Sequence, residues 1–279
     1  MSYVGRKAAL PTLHQKGSLI APIFKEVNGL EVIEVNVDTD QFGTFSGEIE
    51  RSKLALETAK AKARLAIEVT GLDVAIASEG SIGPDLEIPF VVSDVETLLY
   101  LDVKMDIEVD ESFRSFDIFA LSHTLSKKES LEEFLVRADF PQHQLIAKLR
   151  GKDGYRFEKG IKERGHLNSI IERFREIDPE GEITLENDLR AHASPSRQKN
   201  IKKVAELLAR RVASRCPICN MSGFGRRGWR RGLACKDCGG FNEQGIHLEY
   251  LSCPSCGHET EGRTVNESLE ARYCIFCNP

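Results

Sequence analysis

The placement of the cysteines constrains this chain more than any other feature. All eight lie in the last 64 of 279 residues and form four C-x-x-C pairs, separated by 15, 14 and 17 residues. Two such pairs about 15–20 residues apart are typical of a zinc site, since each C-x-x-C turn offers two sulfurs to a tetrahedral ion. Disulfides are rare in cytosolic chains, and no βαβ pattern surrounds the pairs, so a thioredoxin-like motif is not favoured. We predict two structural zinc sites formed by Cys216, Cys219, Cys235, Cys238, Cys253, Cys256, Cys274 and Cys277.

The sequence leaves open which pairs share an ion. Closing a short loop costs less entropy than closing a long one, which favours neighbouring pairs: 216/219 with 235/238, and 253/256 with 274/277. An interleaved pairing remains an alternative. Either way, eight thiolates fill two four-coordinate sites and leave no position for a substrate, so the predicted role is structural. A segment this small has little core of its own, and metal binding would supply its folding energy.

Charge is unevenly distributed along the chain. Residues 197–231 contain eleven Lys/Arg and one acidic residue, a net charge of +10 in a chain whose net charge is −5. Within this region the segment "GFGRRGWRRG" surrounds Trp229 with four arginines. A basic loop with an aromatic ring can hold phosphates and stack a base, so nucleic-acid contact through residues 226–231 is one hypothesis. The alternative is a solvated zinc-ribbon loop whose tryptophan packs on its own module.

Composition and pattern suggest two soluble domains. The chain is 41% hydrophobic and 29% charged, which indicates neither disorder nor a fibre. No apolar run approaches the roughly 20 residues that span a bilayer, and the first residues lack a signal peptide's apolar region. We therefore expect a cytoplasmic protein without a membrane partner. Helical and strand patterns alternate in residues 1–215, which predicts an α/β domain with a mixed sheet and flanking helices. Residues 216–279 would form a small zinc-ribbon domain. Dimerisation through this domain, which would give a homodimer, is a further alternative.

One acidic residue of the first half follows a buried strand. Residues 57–83 read as a helix ending at Gly71, a short apolar strand, then Glu79 with glycines after it. Ligands of open α/β sheets bind at the carboxyl ends of strands, and Gly80 and Gly83 would let the backbone turn sharply there. A carboxylate at that point can bind Mg²⁺ or act as a base toward water. The alternative is a turn or capping acid without chemistry.

The order of several motifs resembles the inosine-triphosphate pyrophosphatase (ITPase)/Maf-like family. Thr12, His14 and Lys16 stand where that family has its first phosphate-binding motif. The family's helix motif and T-G-L are matched at 57–63 and 70–72, its acid turn at 77–81, and its late basic motif at 196–199. The sequence departs from the family in His14, which replaces an asparagine, in having one acid at the turn, and in lacking the S-H-R order.

This resemblance implies hydrolysis of a nucleoside triphosphate to a monophosphate and pyrophosphate with Mg²⁺. Glu79 would be catalytic, and a nucleotide or other phosphate ligand would contact Thr12, His14, Lys16, Lys62, Arg197 and Lys199. The candidate Mg²⁺ ligands are Asp40, Glu57 and Glu79, with Asp38 a further carboxylate. The alternative function is a non-catalytic zinc protein that binds a nucleotide or a nucleic acid. The segments "TDQFGTFSGE", "SEGSIGP" and "LRAHASPSR" also resemble domain-of-unknown-function family 6671, which implies no activity.

Overall fold

The computed structural model describes residues 3–12, 15–37, 55–125, 130–152 and 154–279. This part of the chain forms three β-sheets and five α-helices. The helices are α1 (Gly17–Asn28), α2 (Ala55–Thr70), α3 (Leu131–Arg137), α4 (Arg164–Ile177) and α5 (Pro195–Ala213). The predicted loop "TDQFGTFSGE" lies outside the described residues.

The first sheet is mixed, as predicted. Its strands are β1 (Lys7–Pro11), β2 (Glu31–Val35), β3 (Val74–Pro84), β4 (Val92–Asp102) and β5 (Ile107–Ser115), in the order β2-β1-β3-β4-β5. The first three strands are parallel, and β4 and β5 are antiparallel to their neighbours. Helix α2 packs on one face through Ala59, Ala63 and Ala66, whose small side chains let it approach closely. Helices α1 and α5 bury apolar side chains against the other face.

Strand β3 is longer than the sequence indicated. Glu79 pairs with Thr97, and the β3–β4 ladder continues until Pro84 pairs with Val92. The predicted sharp turn directly after Glu79 is therefore wrong, because antiparallel pairing with β4 extends the strand. The parallel neighbour β1 ends at Pro11 and pairs with β3 only near Ala75, so Glu79 lies beyond the parallel part of the sheet.

A second, antiparallel sheet follows within the first 215 residues. It consists of β6 (Ser122–Leu125), β7 (Leu145–Gly151), β8 (Gly154–Ile161) and β9 (Glu182–Asn187), in the order β6-β9-β7-β8. Helices α3 and α4 cover it, and their apolar side chains form a core separate from that of the first sheet. The expectation of one mixed sheet in this region was thus incomplete. The division into 1–215 and 216–279 stays a prediction.

The third sheet contains β10 (Gly225–Ala234), β11 (Phe241–Ser252) and β12 (Glu259–Thr264), all antiparallel. The predicted basic loop is wrong, since most of "GFGRRGWRRG" forms strand β10. Its glycines make room for rings of β11: a Cβ on Gly228 would lie 2.7 Å from the ring of Tyr250.

Arg211 of α5 connects this sheet to the first one, because its Nη1 donates to the carbonyl of Asp110 at 3.0 Å and its Nε to that of Gly223 at 3.2 Å.

Candidate functional site

Glu79 forms a buried ion pair with a lysine of helix α2. Lys62 Nζ lies 2.6 Å from Glu79 Oε2, and the two residues are 9% and 4% exposed. Both face the side of the sheet where the alanines of α2 pack, so the short distance between helix and sheet sets the pair. The predicted helix motif thus contributes a cation directly to the predicted acid.

A second lysine reaches the same strand from the opposite face. Lys16 directly precedes α1, and its Nζ donates to Ser78 Oγ at 3.0 Å and to the Ser78 carbonyl at 3.4 Å. Its residue is 7% exposed. Burial, followed by the charge of Arg197, lowers the pKa of Lys16 to about 8. The lysine is therefore easier to deprotonate than a surface lysine, and an anionic neighbour would restore its charge.

Arg197 is fully buried against the middle of β3 and β4. It lies in the first turn of α5, its Nε donates to Glu96 Oε1 at 2.5 Å, and its Nη1 donates to the Leu189 carbonyl at 2.6 Å. A Cβ on Gly80 would lie 2.6 Å from Arg197 Nη2 and 2.5 Å from Glu96 Oε1. Gly80 is therefore needed for space beside the ion pair, and not for a turn.

Three polar residues of this site were missed by sequence reasoning. Asp94 and Glu96 lie on β4, and Asn200 of α5 donates from Nδ2 to Asp94 Oδ2 at 2.8 Å. All three are buried. The available signal was the pair of acids two residues apart in the apolar segment "VSDVETLLYLD", since alternate strand positions share one face.

Among the described residues, three buried cations surround the middle of β3. Lys62 pairs with Glu79 on the face covered by α2, and Lys16 and Arg197 lie on the opposite face with Glu96. Burial, followed by the charge of Glu96, raises the pKa of Asp94 to about 7, so this carboxyl is only partly ionised near neutral pH. Buried cations interact strongly with anions because water does not screen them, so this arrangement can hold an anionic group beside the middle of β3.

The other predicted site residues are not brought into this cluster. The side chain of Lys199 is 72% exposed, and it pairs with Asp117 at 2.7 Å beside a groove of about 600 Å³. Glu57 is 57% exposed and pairs with Lys60 at 3.6 Å. Thr12 is half-buried after β1, and its N–H donates to the Val35 carbonyl at 3.4 Å. His14, Asp38 and Asp40 lie outside the described residues.

The eight cysteines form two groups of four that can bind metal ions. One group contains Cys216, Cys219, Cys253 and Cys256, and the other Cys235, Cys238, Cys274 and Cys277. The favoured pairing of sequence neighbours is therefore wrong, and the interleaved alternative is observed. The reason is the hairpin: β10 carries the chain away from the first pair, and antiparallel β11 returns it, so that Ser252 pairs with Gly225. The paired strands bring cysteine pairs that are distant in sequence together, so the entropy of closing a flexible loop does not decide the pairing.

Sulfur geometry within each group fits a tetrahedral ion. The Sγ atoms of Cys216 and Cys256 are 3.7 Å apart, and those of Cys238 and Cys274 are also 3.7 Å apart. Zinc–sulfur distances of about 2.3 Å give sulfur–sulfur edges of about 3.8 Å, whereas a disulfide needs about 2.05 Å. The backbone supports this geometry, because Asn220, Gly239 and Gly257 directly follow a second cysteine and have φ values of 59°, 72° and 70°.

The arginines of β10 all have partners. The four contacts are Arg226–Glu249 at 3.7 Å, Arg227–Asp110 at 3.6 Å, Arg230–Glu259 at 2.8 Å, and Arg231 to the Gln244 carbonyl at 2.8 Å. Arg226 also covers the Trp229 ring at 4.9 Å. These side chains are exposed on an edge strand, so the charge counted in the sequence is largely balanced in the fold.

The molecule is thus a mixed α/β protein with two clusters of four cysteines, each of which can bind a metal ion. Residues 62–279 match the family model described as Domain of unknown function (DUF6671), and the chain belongs to that family. A search of curated proteins finds no match. Among the helices that the structure describes, none is long and apolar enough to cross a membrane.

Proposed function

We propose that the chain is a phosphohydrolase that acts on a nucleotide beside the middle of β3. The observation that carries this proposal is the convergence of Lys16, Lys62 and Arg197 on residues 78–80, where Glu79 also lies. Burying three cations from three different helical segments costs free energy. A phosphate group would offset that cost, because its oxygens accept charge-assisted hydrogen bonds.

Each residue has a role that follows from its charge and its contacts. Lys16 and Arg197 would neutralise phosphate oxygens, which is the main requirement of phosphoryl transfer. Glu79 would orient the attacking water and accept its proton. Lys62, at 2.6 Å from Glu79, would keep that carboxylate ionised and in place.

The choice of a nucleoside triphosphate as substrate rests on the order of the motifs. Lys16, the helix with Lys62, the acid at 79 and Arg197 follow one another as in ITPase/Maf-like pyrophosphatases. Lys62 contacts Glu79 directly, and Lys16 and Arg197 reach the neighbouring positions Ser78 and Gly80, which brings the four motifs to one stretch of β3. The products would be a nucleoside monophosphate and pyrophosphate.

Magnesium fits this donor set only together with the ligand. Mg²⁺ is usually held by one or two carboxylates, waters and substrate phosphates. Glu79 offers one buried carboxylate, whereas Glu57 is solvent-exposed and paired with Lys60. Glu79 would therefore hold the ion with phosphate oxygens, and the bound ion would polarise the phosphoryl group.

The test is release of phosphate or pyrophosphate from a panel of ordinary and deaminated nucleoside triphosphates with Mg²⁺. Glu79→Gln should reduce turnover by at least about 10²-fold, the usual effect of losing a catalytic base. Glu68→Gln provides the matched control, because Glu68 is an exposed acid of helix α2, which packs on the same sheet. Circular dichroism would check that Glu79→Gln folds.

Two results would contradict the proposal. One is full turnover by folded Glu79→Gln, which would remove the acid from the chemistry. The other is the absence of any release by the wild-type protein while nucleotides still bind. That second result would indicate a nucleotide-binding protein without catalysis.

We also propose that the cysteine clusters bind zinc, one ion in each. The observations behind this are the all-thiolate donor set and the tetrahedral sulfur spacing. Elemental analysis of the purified protein should give two zinc ions per chain. Cys216→Ser should lower the content by about one ion, and a Ser255→Ala control in the 253/256 turn should keep both. A content dominated by iron would contradict zinc.

A second candidate function is nucleic-acid binding through residues 226–231. It rests on the exposed arginines of β10 and the stacking of Arg226 on Trp229. Its test is binding to single-stranded RNA and DNA over a salt titration, with a steep loss of affinity expected as salt rises. Unchanged affinity of Arg226→Gln/Arg227→Gln would exclude this strand as the contact.

A further inference from the structure

Two acidic side chains of the site have no role in the proposed chemistry. Asp94 and Glu96 are two residues apart on β4, so they share the face that packs against α5, and both are 0% exposed. One oxygen of each is bonded: Asp94 Oδ2 accepts from Asn200, and Glu96 Oε1 accepts from Arg197. Two carboxyl groups thus lie on one face of β4 in the interior, and one of them is paired with the guanidinium of Arg197.

Their other oxygens meet no donor. Among the described residues, Asp94 Oδ1 and Glu96 Oε2 have no hydrogen-bond partner. Besides burial, the charge of Glu96 and a hydrogen bond to its carboxyl group are among the causes that raise the pKa of Asp94. Two ionised carboxylates in this position would repel each other and leave two buried acceptors unsatisfied. A single proton held by the pair removes one of the two charges and supplies a donor.

In the part of the chain that the structure describes, the neighbouring strands supply no charge that would replace this proton. On β5, Ser115 and Phe113 lie opposite Asp94 and Glu96, and neither is charged. On β3, Ile82 and Gly80 occupy the paired positions. Arg197 is the cation in contact, and Lys16 is the next one, close enough for Glu96 to raise its pKa.

We propose that Asp94 and Glu96 share one proton, and that this proton sets the net charge which Arg197 and Lys16 present to a bound anion. The first part stands on the geometry of the pair, and the second rests on the proposed anion site. Burial and the neighbouring Glu96 also raise the pKa of Asp94 to about 7, which agrees with a proton that is retained near neutral pH.

The proton has a predictable effect on binding. With it, the pair carries one negative charge, which Arg197 balances, and Lys16 remains available to the anion. Without it, the pair carries two negative charges and the site loses one unit of positive charge. Anion affinity should therefore fall as the pH rises through the pKa of the pair. Asp94 and Glu96 are positioning residues in this scheme, because they act through Arg197.

The proton itself can be observed by infrared spectroscopy of the full-length protein. We expect the carbonyl band of a protonated carboxyl group at mildly acidic pH and its loss around pH 7. The band should be missing from Asp94→Asn, in which the amide donates to Glu96 as the protonated acid would. Glu96→Gln is a second variant with the complementary amide. Absence of the band from the wild-type protein, or its survival in Asp94→Asn, would overturn the shared proton.

The coupling to ligand binding is measured with sulfate, whose charge is constant over this range. Wild-type affinity should fall roughly tenfold around pH 7, the effect of one charge a few ångströms away at an intermediate dielectric. Asp94→Asn should retain only the decline that Lys16 causes near its own pKa of about 8. Identical pH profiles for the two proteins would overturn the coupling.

Two further outcomes separate this inference from the proposed function. A carboxyl band in a protein that binds no sulfate at any pH would support the proton and contradict the anion site. Loss of the band on addition of Mg²⁺ or Mn²⁺ at acidic pH would show that the pair binds a metal ion instead, and would overturn the shared proton.

Discussion

Two groups of basic residues in this molecule have opposite surroundings. Lys16, Lys62 and Arg197 are buried around the middle of β3, each against a polar atom of β3 or β4. The arginines of β10 are exposed, and each has an acidic or carbonyl partner on the surface. Buried charges interact strongly because water does not screen them, whereas exposed pairs contribute little.

This difference identifies where charge is used. The β10 arginines produce the most basic segment of the sequence, but their partners balance them within the same sheet or across to β5. The buried cations are scattered over residues 16–197 and produce no conspicuous run. Our proposed anion site therefore follows from the burial of these cations and not from the local density of arginine.

The largest effect that separates the two regions should come from metal removal. Strand β10 lies between two cysteine clusters, one at each end, whereas the buried cations are held by an apolar core. Structural zinc contributes about 10 kcal/mol or more to small domains at neutral pH. A strong chelator should therefore abolish amide-exchange protection in β10–β12 and leave it unchanged in β3 and β4.

The control for this experiment is re-addition of zinc, which should restore protection in β10–β12. Equal loss of protection in the first sheet would contradict the separation of the two regions. It would show that Arg211, which joins α5 to Gly223, transmits the stability of the clusters to the anion site.

Replacement of one arginine from each group should sharpen the comparison between buried and exposed cations. Arg197→Met removes the partner of fully buried Glu96 and should cost about 3–5 kcal/mol in the free energy of unfolding. Arg230→Met breaks a half-exposed pair with Glu259 and should cost less than about 1 kcal/mol. Urea unfolding at neutral pH measures both values.

The double variant Arg197→Met/Glu96→Gln supplies the control. Removing the stranded carboxylate should recover part of the loss, because the cost arises from an uncompensated buried charge. Similar costs for Arg197→Met and Arg230→Met would mean that burial does not distinguish the two groups.

Part of the first sheet was predictable because its signals are local. Gly71 marked the end of α2, and its φ of 68° is a left-handed conformation that glycine adopts without strain. Of the candidate site residues, Lys62 and Glu79 pair directly, and Lys16 and Arg197 reach the neighbouring positions 78 and 80 from the opposite face. Their role stays a prediction.

What was missed depends on contacts between distant segments. Glu96 and Arg197 are separated by 101 positions, so no local pattern relates them. The length of β3 depends on pairing with β4, and the grouping of the cysteines depends on the β10–β11 hairpin. The glycines of β10 are typical of a loop in the sequence. In the structure they give space to the aromatic rings of β11.

A smaller effect should come from the residue that holds the start of α5. His143 is buried, its Nε2 accepts from the Ser196 N–H at 3.1 Å, and its Nδ1 lies 2.7 Å from Asp139 Oδ2. The helix has no side-chain cap of its own, so this ring satisfies a free N–H of the first turn. Arg197 follows directly, so the backbone that carries the buried cation is held by a side chain that lies just before β7.

His143→Leu should cost about 1–2 kcal/mol in the free energy of unfolding, as the loss of a helix cap does. It should also weaken sulfate binding, because the first turn of α5 carries Arg197. His143→Gln keeps an acceptor and should retain more stability and more affinity than the leucine variant. If the two variants unfold alike and bind sulfate like the wild-type protein, the position of Arg197 depends on its own contacts, which include those with Glu96 and Leu189, and not on His143. The comparison with β10 would then rest on burial of the guanidinium and not on the backbone that carries it.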